Sequence, residues 1–279
     1  MTDRPKDKAA LAQRIRDTEM DGAPDQMRAA FSHLFAPLPD VLTETIAGVP
    51  CGMFGEGPPI LWLHGGGLVL GSPETHALAA GYVAQATGRQ VIVPDYPKAP
   101  EHKWPAQPDA AQAVLEALGC VPVVGDSVGG QLALIMWMRR PDLVQRLVLM
   151  SPNTDRTGLS ETRKRDADLM NDHEGDESFA RMALGDYDPT DPEVSPATAD
   201  LTGLPPTMIL ACGAEILLDD SLIFARRAAL AGAEVDLRVW PGLWHLFPLW
   251  PDLIPEGRAA LDAAAHYITE VSPSSPARA

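Results

Sequence analysis

The sequence predicts one α/β domain, a mostly parallel sheet with helices on both faces. Six short apolar runs, "PPILWLH", "QVIVPD", "VPVVGD", "RLVLMS", "PTMILAC" and "EVDLRVW", have the continuous hydrophobicity of strands buried on both sides. Helical patterns lie between most of them, at "THALAAGYVAQAT", "AQPDAAQAVLEAL", "VGGQLALIMWM" and "DSLIFARRAALAG". Alternation of this kind builds right-handed βαβ units. With 279 residues, 46% hydrophobic and 22% charged, the chain is long enough for a single well-buried core.

Taken in order, "AALAQRIRDTEM" and "PDQMRAAFSHLF" carry apolar residues at helical spacing and are split by the breaker "DGA". Residues 1–40 therefore read as a helical cap segment. "VLTETIAGVPCGMF" alternates around a glycine and reads as two strands joined by a turn, opening a main domain over 41–279. Strands and helices then alternate until a polar stretch, short of strand formers, runs from Asn153 to about Leu204. Loops this long in a compact domain commonly act as lids, and helical spacing around "ESFARMALGDY" suits one. With the N-terminal helices it would form a small helical cap over the carboxyl edge of the sheet, where open α/β sheets bind ligands. "PEGRAALDAAAHYITEV" supplies a closing helix, and the tail "SPSSPARA" is expected to fray.

The formal net charge of −16 argues against nucleic acid and anionic membrane surfaces, whose phosphates this field would repel, and leaves small neutral substrates favoured. A plainer reading of the same charge is solubility or adaptation to salt. Cys51, Cys120 and Cys212 are an odd number outside any Cys/His cluster and read as buried reduced thiols, not a disulfide or metal site. The N-terminus lacks the apolar core of a signal peptide, and no apolar run approaches the ~18 residues of a membrane span. A cytoplasmic location without membrane insertion is expected. A homodimer is compatible with this composition but not specified by it.

Gly125-Asp126-Ser127-Val128-Gly129 fits G-x-S-x-G between a strand and a helix, the setting of a nucleophile elbow. A glycine-rich turn with a capping serine would account for the glycines. The strand–turn–helix setting accounts for the serine too: the turn strains it, and the glycines remove side chains that would clash. A serine hydroxyl is a weak nucleophile at neutral pH and requires a base within hydrogen-bond reach. Of seven histidines, His33 and His266 fall in helices, His76 at a helix start, His102 in a Pro-rich loop and His173 in the candidate lid. His245, in "VWPGLWHLFPLW", follows the last strand, where the third member of a Ser, acid, His order belongs.

His64 opens "LHGGGLVLG" directly after a buried strand. Its glycine run is either a flexible turn or a backbone bared to bring N–H groups close to a reacting oxygen. On the second reading Gly66 and Gly67 are oxyanion donors, joined by the N–H of Val128 after the nucleophile. His64 is then a loop organiser rather than an acid–base group.

Three separated motifs now coincide, and the chain resembles the bacterial hormone-sensitive-lipase-like (family IV) esterases of the α/β-hydrolase superfamily. The likeness rests on "HGGG" at 64–67, "DYPKAPEHKWPAQPDA" at 95–110, "GDSVGG" at 125–130, "EILLDDS" at 215–221 and "GLWHLF" at 242–247. It covers the body from about residue 60 to the closing helix. The resemblance implies an α/β-hydrolase fold and hydrolysis of carboxylic esters, usually with short acyl chains, without metal or organic cofactor. Three departures stand out. Val128 replaces the family's usual alanine, Pro97 and Lys98 stand where Arg and Leu are common, and Glu215 occupies the position of the usual acid, an aspartate.

Glu215 lies in the loop after "PTMILAC", early enough to face the histidine loop, and a carboxylate there has no capping role to explain it. Asp219, the runner-up, and Asp220 precede a helix and suit its cap and first turn. The expected chemistry is a Ser127–His245–Glu215 relay through an acyl-enzyme. A lactone, an amide or a drug-like ester would pass through the same kind of intermediate. A non-catalytic binder on this fold is the rival from another class, and its usual mark, a lost triad residue, is missing here. Trp240, Trp244, Phe247 and Trp250 crowd the His245 loop and suggest limited room, hence acyl chains of about two to six carbons.

Overall fold

The computed structural model describes residues 4–166 and 168–270, so the tail expected to fray lies outside the described residues. Its eight strands are β1 (Thr43–Ile46), β2 (Val49–Phe54), β3 (Pro59–Leu63), β4 (Gln90–Pro94), β5 (Val121–Asp126), β6 (Val144–Met150), β7 (Thr207–Cys212) and β8 (Val235–Trp240). They form one sheet in the order β1-β2-β4-β3-β5-β6-β7-β8. β1 and β2 make the expected hairpin, turning at Ala47 and Gly48, both at positive φ. β2 meets β4 antiparallel, and all later pairings are parallel.

The helices are α1 (Lys8–Asp17), α2 (Pro24–Leu34), α3 (Pro73–Thr87), α4 (Ala106–Leu118), α5 (Val128–Arg139), α6 (His173–Leu184), α7 (Leu218–Leu230) and α8 (Pro255–Thr269). The chain leaves β3 for β4 in one direction and returns from β4 past β3 to β5 in the other. Right-handed crossovers of opposite direction put α3 and α4 on opposite faces of the sheet. Accordingly α3 packs against α8, and α4 against α5. The reversal makes a crevice at the carboxyl ends of β3 and β5, the place where open α/β sheets take ligands. Among the described residues, no helix is long and apolar enough to cross a membrane.

The apolar runs predict β3 to β7 well, since every β5 and β7 residue is buried. β8 corrects the expectation of burial on both faces. It is the last strand of the order, and its residues are only partly buried or exposed. An edge strand needs only one protected face, and Asp236 and Arg238 pair with each other at 2.8 Å on the open side. Cys120 is a second correction. All three thiols are free, but only Cys51 and Cys212 are buried, because Cys120 falls just after α4.

The excursion from 153 to 204 contains α6 and two 3-10 turns, Glu161–Lys164 and Pro196–Thr198. A buried ion cluster ties it to α7. Arg163 donates to Asp220 at 2.7 Å, Asp176 at 2.7 Å and the Asn153 side chain at 2.8 Å, while Arg156 reaches Asp176 at 2.8 Å. Burial pushes the Asp176 carboxyl up, but the two guanidinium groups outweigh it and bring its pKa down to about 2. Asp219 and Asp220 stand in the first turn of α7, as expected, but neither caps it, since the N-cap is Leu217 without a side-chain bond. Asp219 Oδ2 accepts the Glu161 N–H at 2.8 Å, capping a turn of the excursion, and Asp220 accepts the N–H groups of Thr154 and Asp155, both at 2.9 Å.

Candidate active site

Ser127 sits between β5 and α5 at φ 55°, ψ −122°, a strained conformation for a residue with a side chain. The surrounding glycines are there because the turn is closed on itself. A Cβ on Gly125 would run into the backbone of Gly129, and one on Gly129 into the carbonyl of Leu63. The Ser127 N–H donates to Met150 O at 2.9 Å, and its carbonyl accepts the Asn153 N–H at 3.0 Å, so neighbouring β6 holds the elbow in place. Val128 opens α5, where a helix leaves its first N–H groups without helical partners.

The elbow is also tied to the glycine loop after β3. Asp126 accepts from the Gly65 N–H at 2.9 Å and from Trp62 Nε1 at 2.8 Å, and His76 Nε2 lies 3.1 Å from the same carboxylate. His76, a helix-start residue by sequence, is thus part of a fully buried support. Gly66 and Gly67 adopt φ of 114° and 63°; a Cβ on Gly67 would lie 2.7 Å from the Phe179 ring of α6. His64 is fully buried, stacks on Tyr96 at 4.1 Å and places Nδ1 2.8 Å from Gly65 O. Burial, helped by the charge of Lys98, pushes its pKa well below the ordinary value, which suits an organiser and not an acid–base group. Pro97 and Lys98 border a separate cleft with Arg28 and Glu101, so those departures do not touch the cavity described next.

His245 follows β8 and Glu215 follows β7, and the structure brings the two together. His245 Nδ1 lies 2.9 Å from Glu215 Oε2, while Glu215 Oε1 accepts the Cys212 N–H at 2.8 Å. With an ionised carboxylate at Nδ1, that nitrogen carries the proton and Nε2 is left as the free base. Burial pushes the imidazole pKa down, but the hydrogen bond and charge of Glu215, with the charges of Asp168 and Asp126, outweigh it and hold it above 6.5. Ser127, His245, Gly66 and Gly67 all line one cavity of about 290 Å³.

Sequence reasoning missed Asp168. It also lines this cavity, and its carboxylate accepts the backbone N–H groups of Ile216 at 3.2 Å and of His245 at 3.1 Å. Burial pushes its pKa above the ordinary aspartate value. The walls were misassigned as well. Ile15, Phe31 and Leu34 of the N-terminal helices line the cavity together with Leu169, Met170 and Phe179 of the excursion. The His245-loop aromatics pack elsewhere: Trp250 stacks on Phe35 at 4.7 Å, and Trp240 lies 5.7 Å from Phe247.

Sheet order, elbow and flanking helices define an α/β-hydrolase. The family model for the alpha/beta hydrolase fold matches residues 60–249. An esterase of Acinetobacter venetianus is 38% identical over 227 residues, 76% of this chain and 75% of that protein. An acetyl-hydrolase of Streptomyces hygroscopicus is 32% identical over 259 residues, 88% of this chain and 87% of the relative. The crystal structure of an esterase from the bacterial hormone-sensitive lipase family superposes with a TM-score of 0.88 at 29% identity, covering 96% of this chain and 99% of the other. The chain belongs to the hormone-sensitive-lipase-like esterases of the α/β-hydrolase fold, and it is a carboxylesterase.

Proposed function

We propose that the protein hydrolyses small, short-acyl carboxylic esters through an acyl-enzyme on Ser127, with His245 as base and Glu215 as the acid that orients it. The observation that carries this reading is the 2.9 Å contact between His245 Nδ1 and Glu215, on an imidazole that lines the same cavity as the strained Ser127. Nε2 of His245 takes the Ser127 proton as Oγ bonds to the ester carbonyl carbon. The oxyanion is held by the N–H groups of Gly66, Gly67 and Val128, each contributing about 3 kcal/mol in the transition state. The C–O bond to the alcohol breaks and the alcohol leaves with the proton from Nε2. Water, deprotonated by the same nitrogen, then attacks the acyl carbon, the bond to Ser127 Oγ breaks as Oγ takes the proton back from Nε2, and the acid is released. The test is p-nitrophenyl acetate turnover beside a Ser127→Ala control, with organophosphate adducts mapped by mass spectrometry. An adduct on another serine, with turnover surviving in the variant, contradicts the reading.

The pH dependence follows from His245. The base acts only when neutral, and its pKa is raised, so it stays protonated and idle to a higher pH than an ordinary histidine. The acid limb of kcat/KM is expected to have its midpoint above 6.5, with activity rising as pH rises through it. A midpoint at or below that value contradicts the geometry.

The first forty residues and the excursion act together as a cap that sets substrate size. A cavity of about 290 Å³ lies at the lower end of the ~300–1,000 Å³ typical of ligand pockets. Its rings and aliphatic side chains stand close to Ser127, and the Streptomyces relative is an acetyl-hydrolase. Acyl chains of about two to six carbons should be preferred. A p-nitrophenyl ester series read as kcat/KM tests this, and a peak at twelve carbons or more contradicts it.

A further inference from the structure

We propose that Asp168 is a positioning residue, a lid carboxylate that ties the loop of the acid to the loop of the base and so keeps His245 set against Glu215. The inference rests on the triad reading above. Asp168 Oδ2 accepts the N–H of Ile216, the residue after Glu215, and Asp168 Oδ1 accepts the N–H of His245 itself. Oδ1 also accepts the Met170 N–H at 3.1 Å, which fixes the carboxylate within its own turn. All three partners are donors, so the ionised form is the one this arrangement uses. One side chain from residue 168 thereby bridges the segments at 216 and 245, which also meet through the Ala214 N–H bond to the Leu243 carbonyl at 3.1 Å and through the Glu215–His245 contact.

The bridge matters because β8, which delivers His245, is an edge strand with little packed against its outer side. A displacement of about 1 Å between reacting groups can lower a rate by about 100-fold. Glu215 is fixed at both oxygens, by Cys212 and by the imidazole. The backbone of His245 is fixed on the cavity side by Asp168. Because this carboxylate belongs to the lid, a substrate that displaces Leu169 or Met170 also loosens the base, so the lid's seating and the readiness of His245 are linked. The groups facing His245 are Glu215, Asp168 and Asp126, and those facing Asp168 are His245 and Glu215. Removing the Asp168 charge therefore destabilises the imidazolium and moves its titration down.

The experiment compares the full chain with Asp168→Ala and Asp168→Asn by kcat, KM, melting temperature and the pH profile of kcat/KM. It includes organophosphate labelling of the wild-type protein at Ser127. Asp168→Ala is expected to lower kcat about 10- to 100-fold with little change in KM. Asp168→Asn keeps an acceptor oxygen and the shape but not the charge. It should recover part of kcat while its acid limb moves to lower pH with that of the alanine variant. A side chain that only anchored the lid would change the melting temperature and leave kcat in place, whereas its charge moves the limb in either case. An unchanged kcat in Asp168→Ala, or acid limbs at the wild-type position in both variants, overturns the proposal. Should Asp168→Ala not fold, the isosteric Asp168→Asn carries the same comparison. Failure to label wild-type Ser127 sinks the triad reading and the proposal with it; labelled Ser127 with unmoved limbs sinks the proposal alone.

Discussion

Ser127→Ala is expected to lower kcat by about 10⁶-fold while leaving the fold intact by circular dichroism. No other group at the elbow can form the acyl bond, and the residual rate over water would come only from substrate binding and the oxyanion donors. Stability makes the prediction sharper. The backbone at 127 has φ 55°, which burdens alanine as much as serine, so removing the hydroxyl leaves the strain and the melting temperature close to wild type. Glycine does relieve it. Ser127→Gly recovers part of a strain of about 1–3 kcal/mol, offset by roughly 1 kcal/mol of extra freedom in the unfolded chain. A net gain near 1 kcal/mol would raise the melting temperature of the glycine variant about 2–4 °C above that of alanine. Both variants should be equally inactive. Turnover surviving in either, or alanine outlasting glycine on heating, contradicts the assignment of Ser127 as a strained nucleophile.

The parts of this architecture that were legible share a physical cause. A strand covered on both faces must be apolar throughout, so β3 to β7 stand out as continuous runs, and the crevice between β3 and β5 follows from the crossovers. Gly125 and Gly129 were readable because any side chain there meets backbone. β8 was read too apolar, although Asp236 and Arg238, two residues apart on one face, already mark an open side. The aromatics around His245 were readable as large side chains but not by direction. Trp250 stacks on Phe35, a partner 215 positions earlier that no local pattern points to. Asp220 and Asp168 were hidden for the same reason. One is paired with Arg163 and the other with the N–H groups of Ile216 and His245, and in the sequence Asp168 is merely one of many acidic residues in a polar excursion.

The second large effect is expected at Glu215, and it separates three neighbouring carboxylates. Glu215→Gln should cut kcat by up to about 10⁴-fold with little change in KM, because a neutral amide no longer fixes the proton on Nδ1 or stabilises the imidazolium. Asp219→Asn should leave kcat near wild type. Its amide oxygen still accepts the Glu161 N–H, and the lost charge in the first turn of α7 is worth about 0.3–1 kcal/mol of stability. Asp220→Asn should behave differently again, since it leaves the buried Arg163 short of a charge and lowers stability by about 3–5 kcal/mol. A catalytic collapse in Asp219→Asn with Glu215→Gln still active contradicts the assignment. Glu215→Asp supplies the finer test of why a glutamate stands where the family resemblance implies an aspartate. The extra methylene lets Oε1 fold back onto the Cys212 N–H while Oε2 reaches His245. A shorter aspartate cannot satisfy both at the same backbone position. It must either leave a buried N–H unpaired or retreat from the imidazole, so Glu215→Asp should lie between wild type and Glu215→Gln in kcat. Full activity in that variant would mean that the turn after β7 shifts freely, and that its bond to Cys212 plays no part in holding the acid.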